Sequence, residues 1–177
     1  MDCLRKSPPQ CATVIWGEHD GVLRTAVLAL KHGARDELAE PLGARLAAVV
    51  AAEEWASEID VVCHVPSHPL RRFRRPWPAA ELIASSVARR LDLPRRSVMR
   101  RHGLNRQTGK SSALRRKLDR GSFSAGAAAN NHQLLLIDDV TTTGTTIRLA
   151  AEALTRAGAK AVYCAVLAQT PDARRMP

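Results

Sequence analysis

Four consecutive apolar residues, Leu134, Leu135, Leu136 and Ile137, run directly into two adjacent carboxylates, Asp138 and Asp139. An unbroken apolar run suits a strand covered on both faces, the situation of a parallel sheet with helices on either side. A hydroxyl-rich turn follows, Thr141, Thr142, Thr143, Gly144, Thr145 and Thr146. After it Ile147, Leu149, Ala150, Ala153, Leu154 and Ala157 return at helical spacing. The order is therefore strand, acidic pair, small polar loop, helix. A chain built on such a unit is expected to be an α/β protein.

Each part of this stretch has a chemical use. The start of a helix leaves backbone N–H groups unpaired and carries partial positive charge, so it attracts a phosphate. Thr142, Thr143, Thr145 and Thr146 add hydroxyl donors, and Gly144 lets the backbone come close to an anion. Asp138 and Asp139 repel that same phosphate. They suit ribose hydroxyls, a divalent metal or a protonated ring nitrogen. The plainer reading is a buried strand ended by Asp and followed by a Thr-rich turn. In this turn no Gly-Lys-Ser/Thr follows Gly144, so the loop is not a Walker A loop.

The run from Asp138 to Thr146 resembles the phosphoribosyl-diphosphate (PRPP) signature of type I phosphoribosyltransferases, an apolar run followed by Asp-Asp-x-x-Thr-Thr-Gly-x-Thr, and matches it without departure. The resemblance implies that Thr142, Thr143, Gly144, Thr145 and Thr146 hold the 5-phosphate. It implies that Asp138 and Asp139 hold the ribose hydroxyls, and Mg2+ directly or through the ligand.

The rest of the chain sets the limits. At 177 residues one domain is expected, and with 45% apolar but 3% aromatic residues its core is mostly Ala, Leu and Val. No apolar run reaches bilayer length, and no apolar segment follows the first charges, so no membrane span and no signal peptide are expected. A cytoplasmic protein follows. Cys63 and Cys164 fall in strand patterns as inert core residues, whereas Cys3 and Cys11 lack the close spacing of a zinc knuckle. The net charge of +10 is uneven. Between Arg71 and Arg120 there are 16 Lys or Arg against Glu81, Asp92 and Asp119, which is +13 and leaves −3 elsewhere. Such a region fits a diphosphate ligand, single-stranded DNA or a solvated surface.

In chain order, residues 1–15 are expected as a loose N-terminal arm, 16–170 as one domain and 171–177 as a tail. Within the domain, 16–56 reads as a small helical hood and 57–170 as the core. The hood holds a helix over 22–31, with Val22, Leu23, Ala26, Val27 and Leu30 at helical period, and a second over 38–50. Strands are expected at 59–65, 97–100, 122–124 and 161–168, with a helix over 79–91. The expected fold is the type I phosphoribosyltransferase fold, a central, mostly parallel sheet flanked by helices.

A narrower resemblance, to the ComF family, runs from about Trp16 to Gln169. It rests on Gly21-Val22-Leu23-Arg24 with Leu30-Lys31-His32-Gly33, on Val65-Pro66-Ser67-His68 with Arg71 and Arg72, and on Gln107, Ser111, Arg115, Gly121 and Phe123. Four features depart from that family: its four-cysteine zinc ribbon is reduced to Cys3 and Cys11, its Arg-Gly-Phe-Asn-Gln is Arg75-Pro76-Trp77-Pro78-Ala79, its Asn before Gly-x-Phe is Leu118, and its Thr three residues before Gln107 is Leu104. By resemblance Ser67, His68, Arg71 and Arg72 form a diphosphate loop. Arg106 and Lys110 lie in a loop able to close over the reacting group. The implied chemistry, with Asp138 and Asp139 as the catalytic pair, is Mg2+-assisted displacement of diphosphate from PRPP by a nitrogen nucleophile. The alternative is a non-catalytic protein that binds PRPP, a nucleotide monophosphate or single-stranded DNA in DNA uptake or repair. A homodimer is compatible with either.

Overall fold

A computed structural model describes residues 10–32, 35–67, 78–102 and 121–171. Its centre is a four-stranded, all-parallel sheet in the order β1-β6-β5-β2. The strands are β1 (Ala12–Glu18), β2 (Val61–His64), β5 (Gln133–Thr141) and β6 (Ala161–Gln169). Beyond β2 the sheet gains one more rung, where Val62 pairs with Arg95. A short antiparallel pair, β3 (Met99–Arg101) and β4 (Phe123–Ala125), stands apart. The helices are α1 (Gly21–Lys31), α2 (Ala39–Ala51), α3 (Ala79–Arg90) and α4 (Thr145–Arg156).

The apolar run lies where its composition requires. Leu134 to Ile137 are at most 1% exposed because β5 is flanked by β6 and β2 and covered on both faces. Alternate residues feed two cores. Leu135 and Ile137 pack with α1, α2 and α3, while Leu134 and Leu136 pack with α4, β3 and β4. The result is the helix–sheet–helix layering anticipated for an α/β chain.

Three sequence expectations need correction. The loose arm to residue 15 is not observed as such: Ala12 to Ile15 belong to β1 and pair with Tyr163 to Val166 of β6. The period-2 signal was weak there because β1 is an edge strand, with Thr13 and Ile15 exposed and Val14 and Trp16 turned to the core. The segment 16–56 is accordingly not purely helical, and α1 and α2 pack on the sheet in the same core as α3. Finally Val22, read as part of the apolar face of α1, is 87% exposed. Asp20 caps α1 by accepting from Gly21 N at 2.7 Å, so Val22 falls in the first turn of the helix.

Helices α2 and α3 cross closely. Gly43 lies against Ser86, so near that a methyl group there would sit 2.4 Å from the Ser86 Cβ. Glu40, on the same face of α2, pairs with Arg89 and, at 2.7 Å, with Arg90 of α3. The Arg90 hydrogen bond is the main reason that the Glu40 carboxyl titrates below its ordinary value.

Candidate functional site

The chain leaves β5 for α4 on one face of the sheet, whereas the next described element after β2 is α3 on the other face. Neighbouring strands whose connections diverge in this way open a crevice at their carboxyl ends, the usual ligand position in open α/β sheets. The β2–β5 register pairs His64 with Ile137, and Val65 N donates to Ile137 O at 2.9 Å. Ser67, half-buried, follows two residues after that bond. His68, Arg71 and Arg72, and likewise Arg106 and Lys110, lie outside the described residues.

Asp138 and Asp139 are 8% and 9% exposed, in the last part of β5. Successive strand residues project to opposite faces. Asp139 turns toward α1, where Lys31 Nζ lies 3.2 Å from its Oδ2 and 3.3 Å from its Oδ1. Its Oδ1 also accepts from Val140 N at 2.7 Å. Asp138 accepts from Asp139 N at 2.9 Å. Burial, and then the charge of Asp139, hold the Asp138 carboxyl well above the ordinary aspartate range; the backbone hydrogen bond and the charges of Lys31 and Arg101 oppose the rise. Arg101 comes from β3 and lies over the Phe123 ring at 5.3 Å.

The turn after β5 is held open by its own backbone. Thr141 Oγ1 accepts from Gly144 N at 3.1 Å, and the Thr143 and Thr145 hydroxyls meet at 2.9 Å. Gly144 adopts φ +71°, and a Cβ placed there would meet nothing within 4 Å. It is the N-cap residue of α4, and no side chain caps that helix. The first-turn N–H groups of α4 are thus left without a side-chain cap, and Thr142, Thr143, Thr145 and Thr146 beside them are exposed or half-buried. Unpaired N–H groups, hydroxyls and a positive helix end are what a phosphate monoester requires.

The donor set also says how a divalent ion would be held. Among the described residues no group of three or more His, Cys, Asp or Glu converges. Two carboxylates fit Mg2+ that brings most of its oxygen ligands as water and ligand oxygens, in the manner common for phosphate substrates. Asp138 and Asp139 are the residues that would hold it.

Sequence reasoning passed over two residues near this site. In the sequence Lys31 stands out only as part of Leu30-Lys31-His32-Gly33, and nothing local links it to Asp139, 108 residues away. Arg101 was only one of many arginines. His64 is buried at 6% exposure, with its Nε2 3.8 Å from Glu81 Oε2, while Arg95 Nη1 lies 3.4 Å from Glu81 Oε1. These contacts tie the end of β2 to the start of α3. Cys63 and Cys164 are buried thiols, both raised by burial, in accord with an inert core role.

Comparison with known proteins gives three findings. A family model for the phosphoribosyl transferase domain matches residues 79–177, more than half of the chain. The fold is similar to that of glutamine phosphoribosylpyrophosphate (PRPP) amidotransferase from B. subtilis complexed with ADP and GMP, with a TM-score of 0.55 and 22% identity, over 79% of this chain and 30% of that one. It is also similar to the allosteric regulatory enzyme of purine biosynthesis, with a TM-score of 0.50 and 25% identity, over 76% of this chain and 25% of that one. The chain thus spans less than a third of either protein. No curated protein matches it significantly. No described helix is long and apolar enough to cross a membrane.

Proposed function

The chain belongs to the phosphoribosyl transferase domain family, and from that premise we propose that it binds PRPP with Mg2+ and transfers the phosphoribosyl group to a nitrogenous acceptor, a nucleobase or an amine. One observation carries the reading: the uncapped, glycine-opened start of α4 stands directly after the buried Asp138–Asp139 pair. That order offers a phosphate cradle and diol acceptors to one ligand, with the ligand's 5-phosphate at one end and its ribose hydroxyls beside it.

In this scheme Thr142, Thr143, Thr145 and Thr146 and the backbone at Gly144 fix the 5-phosphate. Asp138 and Asp139 accept from the ribose hydroxyls and thereby orient the anomeric carbon. Ser67, His68, Arg71 and Arg72 are assigned to the diphosphate, and Arg106 and Lys110 to excluding water from it, on the ComF-like pattern alone. The acceptor nitrogen attacks the anomeric carbon, a C–N bond forms, and the bond to the diphosphate oxygen breaks. The diphosphate departs with the bonding pair, and the nitrogen loses its proton to water or to the leaving group. Bound Mg2+ supplies charge stabilisation of that leaving group. The buried Asp139 carboxylate also stabilises positive charge developing on the ring.

The test is calorimetric titration of PRPP with and without Mg2+, on wild type and on the Asp138→Asn/Asp139→Asn double variant. Saturable, Mg2+-enhanced binding that disappears in the double variant supports the reading. Absence of binding to folded wild type removes it.

A second reading, a non-catalytic binder of nucleotides or single-stranded DNA, draws on the +13 region and on Pro76-Trp77-Pro78-Ala79, which replaces the ComF amides. Most described arginines of that region weaken the DNA version, although Arg100 is exposed. Arg89 and Arg90 are engaged by Glu40, Arg95 by Glu81, Arg96 by His132 at 3.1 Å, and Arg101 lies on Phe123. DNA affinity that falls steeply with salt and survives Asp139→Asn would restore it.

A further inference from the structure

Lys31 stands in the way of the ligand that the acidic pair is built to take. A carboxylate offers about four lone-pair directions. On Asp139 one is used by Val140 N, and the Lys31 ammonium lies within 3.3 Å of both oxygens. The Asp139 side chain is only 13% exposed, whereas that of Lys31 is 36% exposed. The ammonium, the more exposed of the two groups, thus pairs with both oxygens of a nearly buried carboxylate. A ribose hydroxyl donating to Asp139 competes with the Lys31 ammonium for those oxygens.

Resting on the PRPP reading, we propose that Lys31 is a displaceable counter-ion of Asp139 that makes the site selective for diphosphorylated sugar phosphates over simple ones. Its ammonium balances Asp139 while the site is empty. A ligand whose hydroxyls displace it breaks an ion pair in a partly buried setting. A ligand that also carries a diphosphate gives the freed ammonium new anionic oxygens nearby, and the long, partly exposed lysine stem is able to turn to them. A sugar monophosphate such as ribose 5-phosphate places its one phosphate in the α4 cradle and leaves the ammonium without a new partner. The first ligand recovers what the second loses. Lys31 is thus a specificity-determining residue contributed by α1, outside the stretch that the family model matches.

The experiment compares wild type, Lys31→Met and Lys31→Arg by calorimetric titration with ribose 5-phosphate and with PRPP, each with Mg2+. Methionine keeps the stem and removes the charge, and the position is exposed enough for the variant to fold, which circular dichroism checks. Lys31→Met is expected to bind ribose 5-phosphate about fivefold more tightly, the size of a modest ion pair no longer broken. Its affinity for PRPP is expected to fall or stay level, so the preference for PRPP narrows by about fivefold or more. Lys31→Arg, which keeps the charge, is expected to keep most of the preference. Wild type that binds PRPP alongside a Lys31→Met with unchanged preference overturns the counter-ion role and leaves the PRPP reading intact. The same holds if Lys31→Met loses affinity for both ligands equally, since Lys31 is then a plain contact. Wild type that binds neither ligand overturns both.

Discussion

Lys31 and Asp139 meet across 108 residues of sequence, the ammonium 3.2 Å and 3.3 Å from the two carboxylate oxygens. The contact ties the end of α1 to the end of β5. Asp139→Asn removes this pair, which in a half-exposed geometry contributes about 0.2–1 kcal/mol. It also relieves the like-charge repulsion on Asp138. The two effects oppose each other, so the denaturation midpoint is expected to move little. Affinity for PRPP is expected to drop about 10- to 100-fold, as for lost hydrogen bonds to a charged acceptor. Urea denaturation and calorimetry on the same sample separate the two. A large stability loss with little loss of binding would recast Asp139 as a structural residue.

Asp138 makes stability depend on pH. Burial first, and the charge of Asp139 second, raise its pKa from 3.8 to about 8 in the folded chain. Between those values the folded state holds a proton that the unfolded state has released. Stability from this group is therefore fully present below about pH 4 and is lost as pH rises toward 8. Asp138→Asn removes the dependence. The variant is expected to gain Tm relative to wild type on going from pH 5 to pH 8, in the absence of ligand. Parallel Tm–pH curves for the two proteins would refute this.

How much of this was legible in the sequence follows from what each residue's neighbours are. The β5–turn–α4 unit was legible because its signals are local: periodicity gave the strand and helix, and Gly144 between threonines gave the turn. Most helices fell within a residue or two of their expected bounds for the same reason. Strand β1 was hidden, because an edge strand with one half-exposed face has no long apolar run and its pairing partner, β6, lies some 150 residues further on. Lys31 was hidden as a site residue because its partner is 108 residues away. Which face of the sheet Asp139 takes is set by register, and composition does not encode register.

Gly144 separates cradle geometry from stability. With φ +71° and no atom within 4 Å of an added Cβ, Gly144→Ala meets no clash, and its cost is conformational, about 1–2 kcal/mol. The new methyl group projects into the open space proposed for the 5-phosphate. PRPP binding is expected to weaken by more than tenfold while the chain remains folded. Equal affinity in the variant and wild type, by calorimetry, would move the phosphate away from this turn.

The α2–α3 crossing offers a stability test remote from the site. Gly43 in a helix interior is costly by about 0.5–1 kcal/mol relative to Ala, so propensity alone predicts that Gly43→Ala stabilises. Packing predicts the reverse. A Cβ at 43 would lie 2.4 Å from Ser86 Cβ and 2.5 Å from its Oγ, and 3.2 Å from the Ile83 carbonyl oxygen. Both near atoms sit close to the α3 backbone, so relief requires the helices to part, and overpacking of this kind costs about 1–3 kcal/mol. Parting them also strains the hydrogen bond from Ser86 Oγ to Glu40 O at 3.1 Å. The clash should win, and Gly43→Ala should lose about 1–2 kcal/mol of unfolding free energy in urea. Adding Ser86→Gly removes the overlapping atoms and is expected to recover part of that loss despite the new glycine. A single variant more stable than wild type would show that α2 and α3 are packed less closely than the Gly43–Ser86 approach implies.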